Sequence, residues 1–270
     1  MPTSRTPPSP PLWHDLTSPE LGRFAASDPV VVLPLAAIEQ HGPHLPLSTD
    51  LEIGLGLIGE AFRGLDPEVP VRVLPPLAVG TSPEHDGIPG TLSLPGDLLE
   101  DTLVQIGAGV AKTGIRRLLV SNSHGGNQGV IERAALRLRN DHQMLVVKLY
   151  YPRLPRPDSL PFPDAEWRHG LHGGAVETSM MLHLRPDLVQ MDRAAPERSL
   201  GEELEASGSR IGPQGAVPFA WRAGDLSSSG VTGDPTLATP EAGALLVGHY
   251  GAAIADVIRD ARRFPLDRLE

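Results

Sequence analysis

The chain has 270 residues, 40% hydrophobic and 21% charged, a composition typical of one globular domain rather than of a disordered or membrane protein. Its formal net charge is −10 and aromatic residues make up only 4%, which argues against nucleic-acid binding. That binding needs basic side chains for phosphates and aromatic rings for bases. Cysteine is absent, so the ten histidines and the carboxylates are the only possible metal ligands, and they suit Zn, Mn or Fe.

Residues 1–12 are rich in proline and serine, and we expect them to be disordered. They contain no apolar stretch typical of a signal peptide. No apolar run elsewhere in the chain is long enough to span a bilayer. These features predict a cytoplasmic protein that does not bind membranes.

Apolar segments alternate with helical patterns along the chain, which predicts strands that lead into helices and a mostly parallel sheet in one domain spanning residues 1–270. In chain order, strands are predicted at residues 30–36, 71–74, 117–121 and 144–150. Helices are predicted at residues 49–62, 95–112, 128–139, 175–184 and 240–263. The first of these helices should carry Leu51, Leu55, Ile58 and Phe62 along one side.

Two segments have no clear helical or strand pattern. Residues 152–168 are rich in proline and long enough to predict a lid or a binding loop. Residues 197–234 are rich in glycine, serine and proline, and they predict no regular element.

The densest polar cluster, EQHGPHLPLSTD over residues 39–50, directly follows the first predicted strand. Side chains two residues apart in extended backbone point the same way, so Glu39 and His41 can converge on one ion. Asp50, at the start of the next helix, can close the site, at the sheet edge where open parallel sheets bind ligands. Any one of these residues alone is usually a solvated loop residue, but the three together favour a metal site.

A second cluster, NSHGGN over residues 122–127, follows the strand predicted at residues 117–121. Its glycines allow a tight turn and a close approach of the backbone to a ligand. His124 would therefore lie at the same edge of the sheet as Glu39. Alone, the segment could equally be a strand-to-helix turn with an incidental histidine; beside the first cluster it favours a ligand.

The third cluster, HGGAVETS over residues 172–179, opens a predicted helix. Glu177 is a candidate metal ligand or catalytic carboxylate, and His172 is a candidate proton-transfer group. The alternative for Glu177 is a favourable interaction with the helix N-terminus and nothing more.

A fourth segment, residues 80–94, contains Glu84 and His85 among several turn-forming residues. We expect both side chains to line the substrate pocket, although a structural or intersubunit loop fits the same pattern. Asn127 and Trp167 are further candidates for substrate contact.

Two motifs suggest other chemistry. Gly54, Gly56 and Gly59 match the dinucleotide fingerprint G-x-G-x-x-G, but that motif needs a strand directly before it. Here it lies inside a predicted helix, which indicates close packing instead. Ser123 beside His124 suggests a serine hydrolase, but no G-x-S-x-G elbow surrounds it.

Together these clusters resemble the creatininase (creatinine amidohydrolase) family. The matching segments run in the family's order, from about residue 30 to residue 240. They are EQHGPHLPLSTD at residues 39–50, EHDGIPGTLSL at 84–94, SHGGN at 123–127, HGGAVETSMML at 172–182 and GVTGDPTLAT at 230–239.

The resemblance implies a layered α/β/α fold and a site for one or two divalent ions, commonly Zn, Mn or Fe. It also implies hydrolysis of a C–N bond in a small, possibly cyclic amide, and a homohexamer. By position, the implied metal ligands are Glu39, His41, Asp50 and His124, with Asp50 bridging, and His172 is implied to move protons.

The chain departs from creatininase proper at two places. The second metal there uses a glutamate two residues after the histidine that matches His124, whereas this chain has Gly126. Glu177 is the nearest candidate to replace that carboxylate. Trp167 lies close to a substrate-covering tryptophan of the family, but its spacing to His172 differs by one residue. Creatinine is therefore not the substrate that we expect.

The resemblance leads to a mechanistic hypothesis. Bound ions would polarise the amide carbonyl and lower the pKa of water from about 16 to about 7. His172 would protonate the departing nitrogen, a step worth on the order of 10²–10⁴ in rate.

Alternatives within the superfamily are a formamide deformylase and a peptidase of the mycofactocin type. An alternative from another class is a non-catalytic metal- or ligand-binding protein.

Overall fold

A computed structural model describes residues 10–269 of the chain. The strands are β1 (Val30–Leu35), β2 (Val71–Val73), β3 (Arg117–Asn122) and β4 (Leu145–Tyr150). The α-helices are α1 (Ser18–Ala25), α2 (Thr49–Gly64), α3 (Gly96–Ala111), α4 (Gln128–His142), α5 (Asp164–His169), α6 (Ala175–Leu184), α7 (Leu200–Ala206), α8 (Ala223–Leu226) and α9 (Pro240–Arg263).

The four strands form one sheet in the order β2-β1-β3-β4, and every neighbouring pair is parallel. The register pairs Leu35 at the end of β1 with Asn122 at the end of β3. The segments that leave these two strands therefore start side by side, at the edge where parallel sheets bind ligands. The mostly parallel sheet predicted from the sequence is confirmed.

Helices cover both faces of the sheet. On one face, Val30 and Val32 lie in a buried cluster with apolar side chains of α2, α6 and α9. On the other face, Val31 and Leu33 are buried with side chains of α3 and α4. Because both faces are covered, β1 reads VVVLPL and is buried at every position, instead of alternating polar and apolar residues. This is the layered α/β/α fold implied by the resemblance.

Some predicted loops contain helices. α5 lies inside the loop predicted at residues 152–168, and α7 and α8 lie inside residues 197–234. α7 carries a capping box between Ser199 and Glu202, a start signal that the glycine- and serine-rich surroundings obscured. α1 was not predicted either, although Thr17 and Glu20 form a capping box at its start.

The disorder expected for residues 1–12 can be compared with the structure only from residue 10 onwards, because residues 1–9 lie outside the described part of the chain. Leu12 forms a parallel bridge with Val73, and the Val73 N–H donates to the Pro11 carbonyl at 3.0 Å. The prediction is therefore wrong for Pro11 and Leu12, because they extend the sheet beside β2.

The apolar side of α2 differs from the prediction. The fully buried positions are Ile53, Leu57, Ile58 and Ala61. Leu55 is 38% exposed, because the helix is rotated so that Asp50 faces the sheet edge. The glycine motif lies inside α2, and the packing interpretation holds for Gly56, whose Cβ would lie 2.5 Å from Leu184.

None of the helices described is both long and apolar enough to cross a membrane.

Candidate metal centre

Glu39 and His41 lie in the segment that follows β1, and both are buried. Extended backbone directs these side chains to the same side. His41 Nδ1 donates to the backbone carbonyl of Glu39 at 3.1 Å. This hydrogen bond fixes the ring and directs Nε2 at the carboxylates around it.

Asp50, at the start of α2, lies between two histidines. Its Oδ1 is 3.5 Å from His41 Nε2, and its Oδ2 is 3.4 Å from His124 Nδ1. One carboxylate thus presents a different oxygen to each ring. This arrangement suits an acid that bridges two ions.

His124 reaches the cluster from the loop after β3. Its Nε2–H donates to the Thr81 carbonyl at 3.0 Å, so Nδ1 is the nitrogen that can bind an ion. That Nδ1 is 3.2 Å from Glu39 Oε1. The neighbouring ends of β1 and β3 therefore supply donors to the same centre, as the sequence predicted.

The segment before α6 brings two more groups into the cluster. His172 Nε2–H donates to the Gln40 carbonyl at 2.5 Å, and His172 Nδ1 lies 3.8 Å from Glu39 Oε1. Glu177 Oε2 lies 3.9 Å from His41 Nε2 and accepts the Gly173 N–H at 2.7 Å. Glu177 therefore faces the cluster and also stabilises the helix start, so both roles considered for it are compatible.

Donor atoms lie within 4.8 Å of one another in three overlapping groups. The groups are Glu39–Asp50–His124, His41–His172–Glu177 and Glu39–His85–His172. Neither oxygen of Glu39 receives a hydrogen bond from the described residues, and neither do His41 Nε2 and Asp50 Oδ2. Buried lone pairs without donors are costly unless a cation satisfies them. The residues present therefore fit a divalent metal.

The carboxylates of the cluster require positive charge nearby, and the pKa values show which groups supply it. Burial alone would lower the pKa of His41, but Asp50 and Glu177 outweigh burial and raise the pKa to about 9. The pKa of His124 is likewise raised well above its usual value by Glu39 and Asp50, against burial. These histidines hold the pKa of the Glu39 carboxyl well below its usual range, although burial opposes them. A divalent ion would provide the same positive charge.

Burial shifts two other groups of the cluster towards their neutral forms. Burial lowers the pKa of His172 well below its usual value, and the neighbouring His41 lowers it further. Burial raises the pKa of Glu177 to about 7. His172 is thus an unprotonated base whose lone pair faces the cluster.

Glu84 and His85, the two residues of the 80–94 segment expected to line a pocket, lie beside different members of the cluster. Glu84 Oε1 lies 3.4 Å from His124 Nε2, on the side of that ring away from Asp50. Carboxylates in such positions orient a ligating histidine. His85 Nε2 lies 3.3 Å from Glu39 Oε1, and its ring centroid is 4.4 Å from that of His172. His85 therefore belongs to the cluster, a proximity that the sequence did not predict.

Asn127 does not contact the centre, and substrate binding by its side chain remains a prediction. Its Oδ1 accepts the Thr81 N–H at 2.9 Å, and its Nδ2 donates to the Ala36 carbonyl and to Asn122 Oδ1. The side chain is fully buried. These bonds hold the loops after β1 and β3 together, which explains why an asparagine occupies this position.

Gly126 leaves no room for a ligand side chain. A Cβ at this position would collide with the Glu84 carboxylate and lie 2.6 Å from the Thr81 backbone oxygen. A carboxylate cannot be placed here without moving the loop. Glu177 approaches His41 from the other side and is the available replacement.

Trp167 lies on α5 in an apolar environment. Its ring centroid is 5.7 Å from that of Phe162, and the Arg156 guanidinium lies 5.6 Å from the indole centroid. The structure thus packs Trp167 against the helical layer. Substrate coverage by this residue remains a prediction.

The sequence analysis missed Glu166, a buried residue of α5. Its Oε1 accepts the Ala175 N–H at 2.6 Å and its Oε2 accepts the Asp234 N–H at 2.8 Å. It therefore joins the start of α6 to the glycine-rich segment 230–239. Three glycines leave space for this carboxylate: Gly170, Gly174 and Gly233. Their clustering was the available signal.

Comparisons with known proteins agree with this geometry. A family model for creatininase (creatinine amidohydrolase) matches residues 14–258. The mycofactocin precursor peptide peptidase of Mycolicibacterium smegmatis is 33% identical over 238 residues, which cover 86% of this chain and 85% of the peptidase. The creatinine amidohydrolase of Pseudomonas putida is 32% identical over 186 residues, which cover 63% of this chain and 70% of that enzyme. A solved structure described as creatininase Mn has a TM-score of 0.74 and 29% identity, and covers 94% of this chain and 98% of that chain.

Proposed function

Because this chain belongs to the creatininase family, we propose that its cluster binds two divalent ions and hydrolyses a C–N bond of an amide substrate. One ion would be held by Glu39, Asp50 and His124. The other would be held by His41, Asp50 and Glu177. The observation that supports this proposal is the convergence of buried ligand atoms of Glu39, His41 and Asp50 that have no hydrogen-bond partner among the described residues.

Glu177 takes the place of the carboxylate that Gly126 lacks. Its Oε2 lies 3.9 Å from His41 Nε2, so both can ligate an ion that lies between them. Burial keeps the pKa of Glu177 near 7, and a bound cation would favour the ionised form. The two ligand sets then share Asp50, whose two oxygens face His41 and His124.

Ions bound there would supply a Lewis acid for the amide carbonyl and would lower the pKa of water to about 7. His172 is oriented to move the proton. Its Nε2–H is held by the Gln40 carbonyl, and its Nδ1 faces the cluster as a lone pair. The proton released when water adds to the carbonyl passes to Nδ1 and then to the departing nitrogen as the C–N bond breaks.

The substrate class that we propose first is a small, possibly cyclic amide, as in the creatinine amidohydrolase relative. The second candidate is a peptide. It is favoured by the 33% identity over 86% of the chain to the mycofactocin precursor peptide peptidase. Cytoplasmic location, assembly as a homohexamer and the choice among Zn, Mn and Fe are further proposals.

A metal titration with a substrate panel tests this function. Protein stripped with a chelator is titrated with Zn, Mn or Fe(II), and hydrolysis of creatinine, a formamide and a mycofactocin-type precursor peptide is measured. We expect two ions per chain and hydrolysis only after reloading. Tight binding of two ions without hydrolysis of any amide would support the non-catalytic alternative instead.

A further inference from the structure

Four histidine rings surround the Glu39 carboxylate, and their N–H groups do not all point the same way. Three rings donate one N–H to a backbone carbonyl and turn their other nitrogen towards the carboxylates. These are His41 Nδ1 to Glu39, His124 Nε2 to Thr81, and His172 Nε2 to Gln40. A neutral imidazole has one donor and one acceptor nitrogen, so these bonds fix which nitrogen can ligate an ion.

His85 differs from the other three. Its Nδ1 lies 2.9 Å from Nε2 of the Gln40 side chain, an amide nitrogen that can only donate. His85 Nδ1 must therefore be the acceptor, and the ring proton lies on Nε2. That Nε2 faces Glu39 Oε1 at 3.3 Å.

The orientation of the Gln40 amide is fixed by its other contacts. Its Oε1 accepts the Gly42 N–H at 2.9 Å, and its Nε2 lies 3.4 Å from the Gly230 carbonyl. If the amide were flipped, its nitrogen would face the Gly42 N–H and its oxygen would face the Gly230 carbonyl. Neither hydrogen bond could then form. Gly230 contributes by shape as well, because a Cβ there would lie 2.5 Å from Gln40 Nε2.

This arrangement distinguishes one of the three donor groups of the cluster from the other two. A nitrogen that carries a proton cannot ligate a metal. The Glu39–His85–His172 group therefore presents one N–H, on His85, and one lone pair, on His172. In the other two groups, each ring keeps one N–H on a backbone carbonyl, so the nitrogen that faces the carboxylates can give up its proton to an ion.

We propose that Gln40 is a positioning residue that holds His85 with its N–H turned into the site, so that His85 donates to an oxygen bound beside Glu39 and does not ligate an ion. This inference rests on the proposed metal site and makes it more specific. It assigns two ion positions, and it assigns the third group to the recognition of a substrate or water oxygen. Stacking at 4.4 Å places this donor beside the His172 base.

The test reads the tautomer directly. Protein labelled with ¹⁵N-histidine is studied by magic-angle-spinning NMR, both metal-free and loaded with zinc, and the His85 signals are those lost in His85→Asn. We expect a protonated Nε2 and an unprotonated Nδ1 in both states. A protonated Nδ1, or a zinc-bound Nε2, would overturn the proposal.

Gln40→Glu tests the role of the amide. The glutamate has the same shape but can only accept, so we expect His85 Nδ1 to become protonated in this variant. Gln128→Glu is the matched control, because it adds the same charge at the start of α4, where the Gln128 amide donates to the Gly125 carbonyl. The His85 signals should keep their wild-type pattern there. An unchanged tautomer in Gln40→Glu would show that Gln40 does not set it.

Zinc stoichiometry gives an independent readout. His85→Asn should still bind two ions, with zinc affinity reduced by no more than about tenfold. That is the lower end of the loss seen when a residue that hydrogen-bonds to a metal ligand is removed. His124→Asn, which removes a proposed ligand, should lose one ion. Loss of one ion in His85→Asn would overturn the proposal. If wild-type protein binds no zinc, the proposed function fails, yet the tautomer is still measured in the metal-free sample.

Discussion

The proposed ligands come from two regions that are built differently. Residues 39–50 and 122–127 leave neighbouring strand ends, and the register of β1 against β3 places Glu39 beside His124. Residues 172–177 have no strand beneath them. They are held at the start of α6 by Glu166, which also bonds a backbone N–H 68 residues away. The first region inherits the rigidity of the sheet, whereas the second is held by contacts with distant segments, among them the Glu166 carboxylate and an antiparallel bridge between His172 and Thr232.

The largest effect is expected where the two regions meet, at Asp50. Asp50→Asn removes the charge shared by both ion positions, so metal content and activity should fall together. Because a catalytic ion contributes several kcal/mol to the transition state, kcat/KM should fall by at least on the order of 10⁴. Metal analysis and steady-state kinetics of the purified variant measure both.

Glu52→Gln is the matched control for this substitution. Glu52 lies on the same first turn of α2, but its Oε1 accepts from Arg185 Nη1 at 2.9 Å and does not face the site. Its loss should leave metal content unchanged. Full metal occupancy in Asp50→Asn would refute the bridging role.

His172 and Glu177 test whether the second region has two separate roles. His172→Ala should retain both ions while kcat falls on the order of 10²–10⁴, and the defect should shrink for amides with good leaving groups. Glu177→Gln should instead weaken metal affinity, with partial recovery of activity at high metal concentration. Metal loss in the first variant and retention in the second would exchange the two roles.

Glu166→Ala should disturb the second region and spare the first. The substitution leaves the N–H groups of Ala175 and Asp234 buried without an acceptor, and it should lower the free energy of unfolding by about 3 kcal/mol. We expect loss of activity while the ion at Glu39, Asp50 and His124 remains bound. Asp164→Asn, on the same helix but paired only with exposed Arg156, should cost less than about 1 kcal/mol. Equal effects in urea denaturation would argue that Glu166 has no special role.

The smallest predicted effect concerns pH. Asp50 and Glu177 raise the pKa of His41 from 6.5 to about 9 in the folded chain, against burial. A raised pKa stabilises the fold fully below pH 6.5, and that stabilisation is lost as the pH rises towards 9. His41 should therefore contribute a loss of about 2–3 kcal/mol in the stability of metal-stripped protein over this range, and His41→Gln should reduce the pH dependence by that amount. Metal affinity should rise over the same range, because protons compete for the ligand nitrogen. Denaturation midpoints that rise with pH in stripped protein would contradict this.

The contrast between the two regions also explains which residues of the site could be predicted from the sequence. Glu39, His41, Asp50 and His124 were predictable because buried strands are visible in the sequence and parallel strand ends lie at one edge. The hydrogen bonds of Asn127 were not predictable, because a turn asparagine that ties loops together has the same sequence context as one that binds substrate. Glu166 and Gln40 could not be found from local pattern, since their partners lie far away in the chain.

The fold shows the same limit. The strands and the helices α2, α3, α4, α6 and α9 were predicted to within a few residues, because their apolar runs and periodicity are strong. α5, α7 and α8 have four to seven residues and stand among prolines and glycines, so their weak periodicity was hidden. Their positions are decided by packing against distant segments rather than by propensity.

The protonated His41 has a consequence for the assembly of the enzyme in the cell. A newly made chain can complete its fold with protons on His41 and His124 balancing the buried carboxylates, before any ion arrives. Metallation would then be a later exchange of protons for ions in a preformed cavity. Which ion the enzyme carries would therefore be decided by the metals available to the finished protein, and not by those present during its synthesis.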